Sequence, residues 1–151
     1  MTPTKKGPLG TKELNKVLQE SLNPKTRGKD EKVSGSVIYR VGDRIMQVKN
    51  NYDITWEKEN KLLKKLQFMK SKDKIELGIG VFNGEMGTIL EVDNKEKVIK
   101  IKFDDEKIAY YEFSELDQIE HSYAITIHKS QRKWIWCCYY ASNRFFTNIN
   151  D

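Results

Sequence analysis

The stretch "GVFNGEMGTILEVDNKEKVIKIKFDDEKIAYYEFSELDQIE" constrains the fold most. Three apolar runs, near residues 86–92, 97–103 and 107–113, are each short enough for a strand and too short for an ordinary helix. Asp93-Asn94-Lys95 and Asp104-Asp105-Glu106 separate them. Asp and Asn favour such turns because their side chains bond the backbone one or two residues on. Val98, Ile99, Ile101, Phe103, Ile108, Tyr110, Tyr111 and Phe113 supply the inside of a small antiparallel meander. The length and strand spacing predict a small SH3-like barrel, which is a scaffold and not an activity.

The N-terminal half reads differently. "GTKELNKVLQESLNP" predicts a helix with Thr11 as N-cap and Asn23-Pro24 as its stop. Leu14, Val17, Leu18 and Leu22 form one apolar stripe, expected to pack. Asn15 and Gln19 share another side, and the packed-helix reading leaves them unexplained. Residues 25–36 are polar, basic and Gly-containing, and read as a mobile loop. Gly42-Asp43 reads as a turn, followed by a strand over 45–49 that Asn50, Asn51, Tyr52 and Asp53 end. Residues 58–72, with Leu62, Leu63, Leu66 and Met69 among lysines, read as a charged helix. In "HSYAITIHKSQ", strand alternation at Tyr123, Ile125 and Ile127 competes with a helical face of Ala124, Ile127, His128 and Gln131, and the helix is preferred.

Charge and chemistry narrow the function. The net charge of +5 favours a polyanionic partner, nucleic acid first, although abundant acidic residues dilute that signal. No run approaches the roughly 20 apolar residues that span a bilayer. "MTPTKKGPLG" lacks an apolar signal core, so no membrane role and a cytoplasmic location are expected. The adjacent Cys137 and Cys138, with His121 and His128 as the two histidines, do not have zinc-site spacing. Neither a nucleophile–base set nor a carboxylate cluster for metal-dependent nuclease chemistry stands out, so no catalytic and no metal-ligating residue is assigned.

Four blocks, "KKGPLGTKELNKVLQESLNP", "VGDRIMQVKNNYD", "GVFNGEMGTI" and "YAITIHKSQ", occur in the order found in one family. The chain resembles the C-terminal part of RecD/TraA-type superfamily 1 DNA helicases, the exonuclease V alpha-subunit family. The last block is similar to that family's motif V, usually ending His-Lys-Ser-Gln-Gly. The resemblance implies an α+β fold, a small SH3-like β-barrel inserted in an incomplete RecA-like motor lobe. It divides the chain into 1–53 (second motor lobe), 54–80 (charged helical excursion), 81–118 (SH3-like insertion), 119–131 (motif V, returning to the motor lobe) and 132–151 (an aberrant or disordered tail).

The same resemblance implies residue roles. Lys5, Lys6 and Gln131 would approach the nucleotide. Asn50, Asn51, Asn83, Thr126, His128, Lys129 and Ser130 would meet single-stranded DNA, where hydroxyls, an ammonium and amides suit phosphates and base edges. Asn50, Asn51 and Asn83 also have a plainer reading as turn residues. ATP and magnesium would act only in the complete helicase, because no G-x-x-x-x-G-K-[ST] loop or acidic strand end is present to position them. The expected partners are single-stranded DNA and the missing N-terminal motor lobe, and the chain alone is expected to be inactive. After Gln131 the pattern breaks: Arg132 stands where a small residue is usual, and "RKWIWCCYYA" replaces a Val-rich strand, as a shifted reading frame would produce. The competing reading is a free-standing SH3-like protein-interaction module.

Overall fold

A computed structural model describes residues 10–59 and 75–126. In it the order is helix α1 (Thr11–Leu22), then strands β1 (Glu31–Ser34), β2 (Val37–Arg40), β3 (Arg44–Gln47), β4 (Asn51–Glu59), β5 (Ile75–Val81), β6 (Met86–Asp93), β7 (Val98–Phe103) and β8 (Ile108–Glu112). A 3-10 helix (Phe113–Gln118) and β9 (Ile119–His121) follow. Residues 25–120 form one compact unit, and residues 10–24 with 121–126 belong to a second.

The meander 86–112 forms because turn chemistry and alternation agree. Strands β6, β7 and β8 pair antiparallel, with Ile99 opposite Tyr111 and Ile101 opposite Ala109. Those side chains are buried, while Lys102, Tyr110 and Glu112 on the other face are exposed. A bulge between Ile89 and Glu91 inserts a residue, so Ile89 and Val92 both turn inward although three positions apart. At the β6–β7 turn the Asp93 carboxylate accepts from the backbone N–H groups of Glu96 and Lys95, which hold its pKa below the usual range.

The unit 25–120 holds two sheets, β1–β2 and a seven-stranded one ordered β5-β4-β8-β7-β6-β3-β9. The larger sheet is open. Strands β5 and β9 end the order, so in place of the expected barrel the described residues form an open seven-stranded sheet. The core of Ile45, Ile89, Ile99, Ile101, Phe103 and Tyr111 is extended by Tyr39, whose hydroxyl donates to the Ile119 carbonyl at 2.9 Å.

Three local expectations are corrected. The loop expected over 25–36 contains β1, which pairs with β2 through a turn where Gly35 takes φ +58°. Its polar side chains obscured the strand, and the pairing is supported by Glu31 accepting from Lys25 and Arg40. Asn51, Tyr52 and Asp53 begin β4 rather than only ending β3. Residues 54–59 and 75–80, assigned to a helical excursion, are the arms of an antiparallel ribbon, with Trp56 opposite Gly78 and Glu57 opposite Leu77. β-Branched and aromatic residues at 54–56, 75 and 79 favour pairing there. The remainder of the predicted charged helix lies outside the described residues, as do Lys5, Lys6, His128, Lys129, Ser130, Gln131 and the predicted tail. No described helix is long and apolar enough to cross a membrane.

Close approach fixes one glycine. A Cβ at Gly87 would stand 2.7 Å from the Lys102 carbonyl oxygen and 3.1 Å from the Phe103 Cα, both backbone atoms with little room to move. Gly87→Ala is expected to cost about 1–3 kcal/mol by overpacking β6 against β7. Leu77→Ala, at a side chain 77% exposed, should cost less than about 0.5 kcal/mol. Urea denaturation of the two variants checks the contrast.

Candidate nucleic-acid interface

Asn50, Asn51 and Asn83, far apart in sequence, converge at one edge of the unit 25–120. The Asn83 backbone N–H donates to Asn50 Oδ1 at 2.9 Å, and Asn50 Nδ2 donates to the Tyr52 hydroxyl at 3.1 Å. Residues 82–85 form a tight turn in which Gly84 takes φ +95° and the Glu85 N–H donates to the Phe82 carbonyl. Phe82 meets Tyr52 edge-on, with ring centroids 5.7 Å apart. Both rings remain largely in solvent, Tyr52 at 65% and Phe82 at 43%. Lys49, next to Asn50, is exposed and pairs with the exposed Asp117, an ion pair that water screens and that a competing anion can displace.

Beneath this edge lies a buried amide network. Gln47 is fully buried. Its backbone N–H donates to the Glu85 carbonyl and its carbonyl accepts from Gly84, both at 2.8 Å, which anchors the 82–85 turn to β3. Its side-chain Oε1 accepts from the Tyr111 hydroxyl at 3.0 Å, and its Nε2 donates to Gln118 Oε1 at 3.4 Å. Burial pushes the Tyr111 phenol above its ordinary range, with Glu115 and Glu85 adding to the effect, so it stays a donor. Asn51 completes the network. Its Nδ2 donates to Glu115 and Gln118, and its Oδ1 accepts from the N–H groups of Asp53 and Ile54. These four bonds use the whole donor and acceptor set that binds Asn51 to the fold. Asn50 and Asn83, both exposed, are the amides at the surface.

Thr126 belongs to the other unit and is buried, 9% exposed. Residues 122–126 are irregular apart from a bridge at Thr126, so the preferred helix does not form over the described part of that segment. Asn15 holds the segment. Its Nδ2 donates to the carbonyls of His121 and Ala124, each at 3.0 Å, and its Oδ1 accepts from the Ala124 N–H at 2.6 Å. Gln19 Nε2 lies 3.4 Å from His121 Nε2. The helix thus buries Thr11, Asn15 and Gln19, and its C-cap Asn23 is buried too, while Val17 and Leu22 are 61% and 67% exposed. Of the packed apolar stripe expected for α1, Leu14 and Leu18 are half-buried and Val17 and Leu22 exposed, while the polar face carries the buried residues that bond the backbone at 121 and 124. Thr11 is the first helical residue and Gly10 the N-cap.

The aromatic pair was not among the sequence candidates. Its signal was present in part, since Tyr52 follows Asn50-Asn51 and Phe82 precedes Asn83-Gly84. Nothing in the spacing of two positions thirty residues apart brings them together.

Residues 14–103 match the family described as the ATP-dependent RecD-like DNA helicase SH3 domain. That match starts within α1, well before the 81–118 that the resemblance assigned to the SH3-like part. Among curated proteins, the chain is similar to the ATP-dependent RecD2 DNA helicase of Deinococcus radiodurans, 28% identical over 131 residues, covering 87% of this chain and 14% of that helicase. It is also similar to an uncharacterized protein of Methanocaldococcus jannaschii, 32% identical over 98 residues, covering 61% of this chain and 7% of that protein. The chain therefore corresponds to a small share of the length of either relative.

The Asn15 clamp makes a sharp expectation. Asn15→Asp keeps the acceptor for Ala124 N–H but turns a carboxylate toward two carbonyl oxygens. Those oxygens raise its pKa, so the variant should hold the 121–124 segment better at pH 4 than at pH 7. Asn15→Leu should lose it at both, at a cost of about 1–3 kcal/mol for each buried group left unpaired. Amide hydrogen exchange at Ala124 reads out both variants.

Proposed function

The chain belongs to the ATP-dependent RecD-like DNA helicase SH3 domain family, and from that premise we propose that it is a helicase-associated module that contacts single-stranded DNA. The carrying observation is the exposed Tyr52–Phe82 pair flanked by the Asn50 and Asn83 amides. Unpaired bases offer π-faces that stack on such rings with little regard to sequence, at about 1–3 kcal/mol per base. The amides suit base edges or sugar–phosphate oxygens, and Lys49 supplies a cation for a phosphate.

On this reading, the chain works as part of an ATP-dependent helicase whose nucleotide-gripping residues lie on other amino acids. The resemblance assigned 1–53 and 119–131 to the second RecA-like lobe; residues 25–53 lie in the same compact unit as the SH3-like strands, so on this reading the lobe segments are those before 25 and after 120. His128, Lys129 and Ser130 then face the strand, with Thr126, buried at 9% exposure, leading into them, and Lys5, Lys6 and Gln131 approach the nucleotide. Asn15 supports this assignment physically, because it fixes the backbone that leads into the motif V-like run. The chain alone has no phosphate-cradling loop in its sequence, so it is expected not to turn over ATP.

Fluorescence anisotropy with a labelled oligothymidylate tests the proposal. Binding should weaken as salt rises, because phosphate contacts release counterions. Phe82→Ala and Tyr52→Ala should each weaken it roughly 5- to 150-fold, the range that one lost stacking contact represents. No binding at low salt, or unchanged binding in both variants, would favour a protein-interaction module.

A further inference from the structure

The Tyr52–Phe82 surface carries a hydrogen-bond pattern that stacking does not use. The Asn50 carboxamide has one accepting end and one donating end. The Asn83 backbone N–H lies 2.9 Å from one of them, and a backbone N–H can be met only by an acceptor. That bond fixes the carboxamide oxygen toward the 82–85 turn. It leaves the amide nitrogen, which can only donate, 3.1 Å from the Tyr52 hydroxyl.

The consequence falls on Tyr52. A phenol hydroxyl has one proton to give and lone pairs to offer. Asn50 occupies a lone pair, so the hydroxyl accepts in this bond and its own proton points elsewhere. Among the described residues no acceptor meets that proton. The side chain that carries it is 65% exposed. A free tyrosine hydroxyl turns to either role, whereas this one is biased to donate outward, at the rim of the aromatic pair.

We propose, on the premise of the single-stranded DNA reading, that the Tyr52 hydroxyl donates to a phosphate oxygen of the bound strand, and that Asn50 is the positioning residue that sets its direction. A phosphate recurs at every nucleotide, so it is in reach whichever base stacks on the rings. It is also ionised, and a hydroxyl donates more strongly to an ionised acceptor than to a neutral carbonyl. Lys49, which precedes Asn50 between β3 and β4, is exposed and adds a cation to the same stretch of chain. Tyr52 thus has two separable roles, a ring for a base and a proton for the backbone.

Anisotropy titrations of the full chain with labelled oligothymidylate and oligodeoxyadenylate test the proposal. Tyr52→Phe keeps the ring and removes only the hydroxyl. It should weaken binding to both strands about tenfold, the loss of one hydrogen bond to a charged group, with thermal melting unchanged. Asn50→Asp is the second variant. Its ionised carboxylate still accepts from the Asn83 N–H but can only accept from Tyr52, so it draws the hydroxyl proton inward. In that background Tyr52→Phe should cause no further weakening. Repulsion between the added charge and phosphates is the same with and without the hydroxyl, and drops out of the comparison. The proposal is overturned if Tyr52→Phe binds like the unsubstituted chain, or if the weakening appears on oligothymidylate alone, the mark of a base carbonyl as acceptor. It is also overturned if Tyr52→Phe weakens binding equally with and without Asn50→Asp. A loss confined to Tyr52→Ala overturns it and leaves the stacking reading in place, whereas no binding by the unsubstituted chain at low salt overturns both.

Discussion

The unit 25–120 depends on one buried amide. Gln47 sits on β3 with no solvent contact and joins four parts of the chain through its backbone and side chain. A buried amide left unpaired costs more than a paired one contributes, so the network is either complete or a source of instability. It is complete here because Tyr111 donates from β8, Gln118 accepts at the end of the 3-10 helix, and Glu85 and Gly84 close the turn after β5. Asn51 reaches the same Gln118 oxygen. The position of the 82–85 turn, and with it the pairing of Phe82 with Tyr52, follows from that set of bonds.

The second unit uses polar burial in the same way. Helix α1 turns Thr11, Asn15 and Gln19 inward, spaced four residues apart on one helical face, and its C-cap Asn23 is buried as well. Hydrophobic periodicity pointed to the other face. The polar face has a physical cause: the segment it meets leaves β9 at His121 and continues as irregular backbone whose amide and carbonyls must be bonded. An asparagine that both donates and accepts does this better than any apolar side chain.

What was legible in the sequence divides along the same line. Strands β6 to β8 were placed within a residue or two, because Asp93 and Asp104 mark turns and the apolar residues alternate between them. The Asn–Gly turn at 83–84 was legible for the same reason. Strand β1 was hidden by its charged residues, and the ribbon β4–β5 by a lysine-rich neighbourhood that favours a helical reading. The open sheet was also hidden, since strand spacing says nothing of whether the last strand meets the first. Asn50 and Asn83 were singled out as single residues, and their hydrogen bond across thirty residues came only with the fold. Asn51 was singled out with them, yet its amide serves the fold, which its sequence neighbourhood does not distinguish from Asn50.

The central claim is that the buried amide network presents Tyr52 and Phe82 as a stacking platform for unpaired bases. Photocrosslinking the chain to an iodouracil-substituted single strand, followed by peptide mass spectrometry, tests it most directly. The account predicts adducts on Tyr52 or Phe82. Adducts confined to other residues, such as the exposed Tyr110 on the opposite side of β8 from Tyr111, would contradict it.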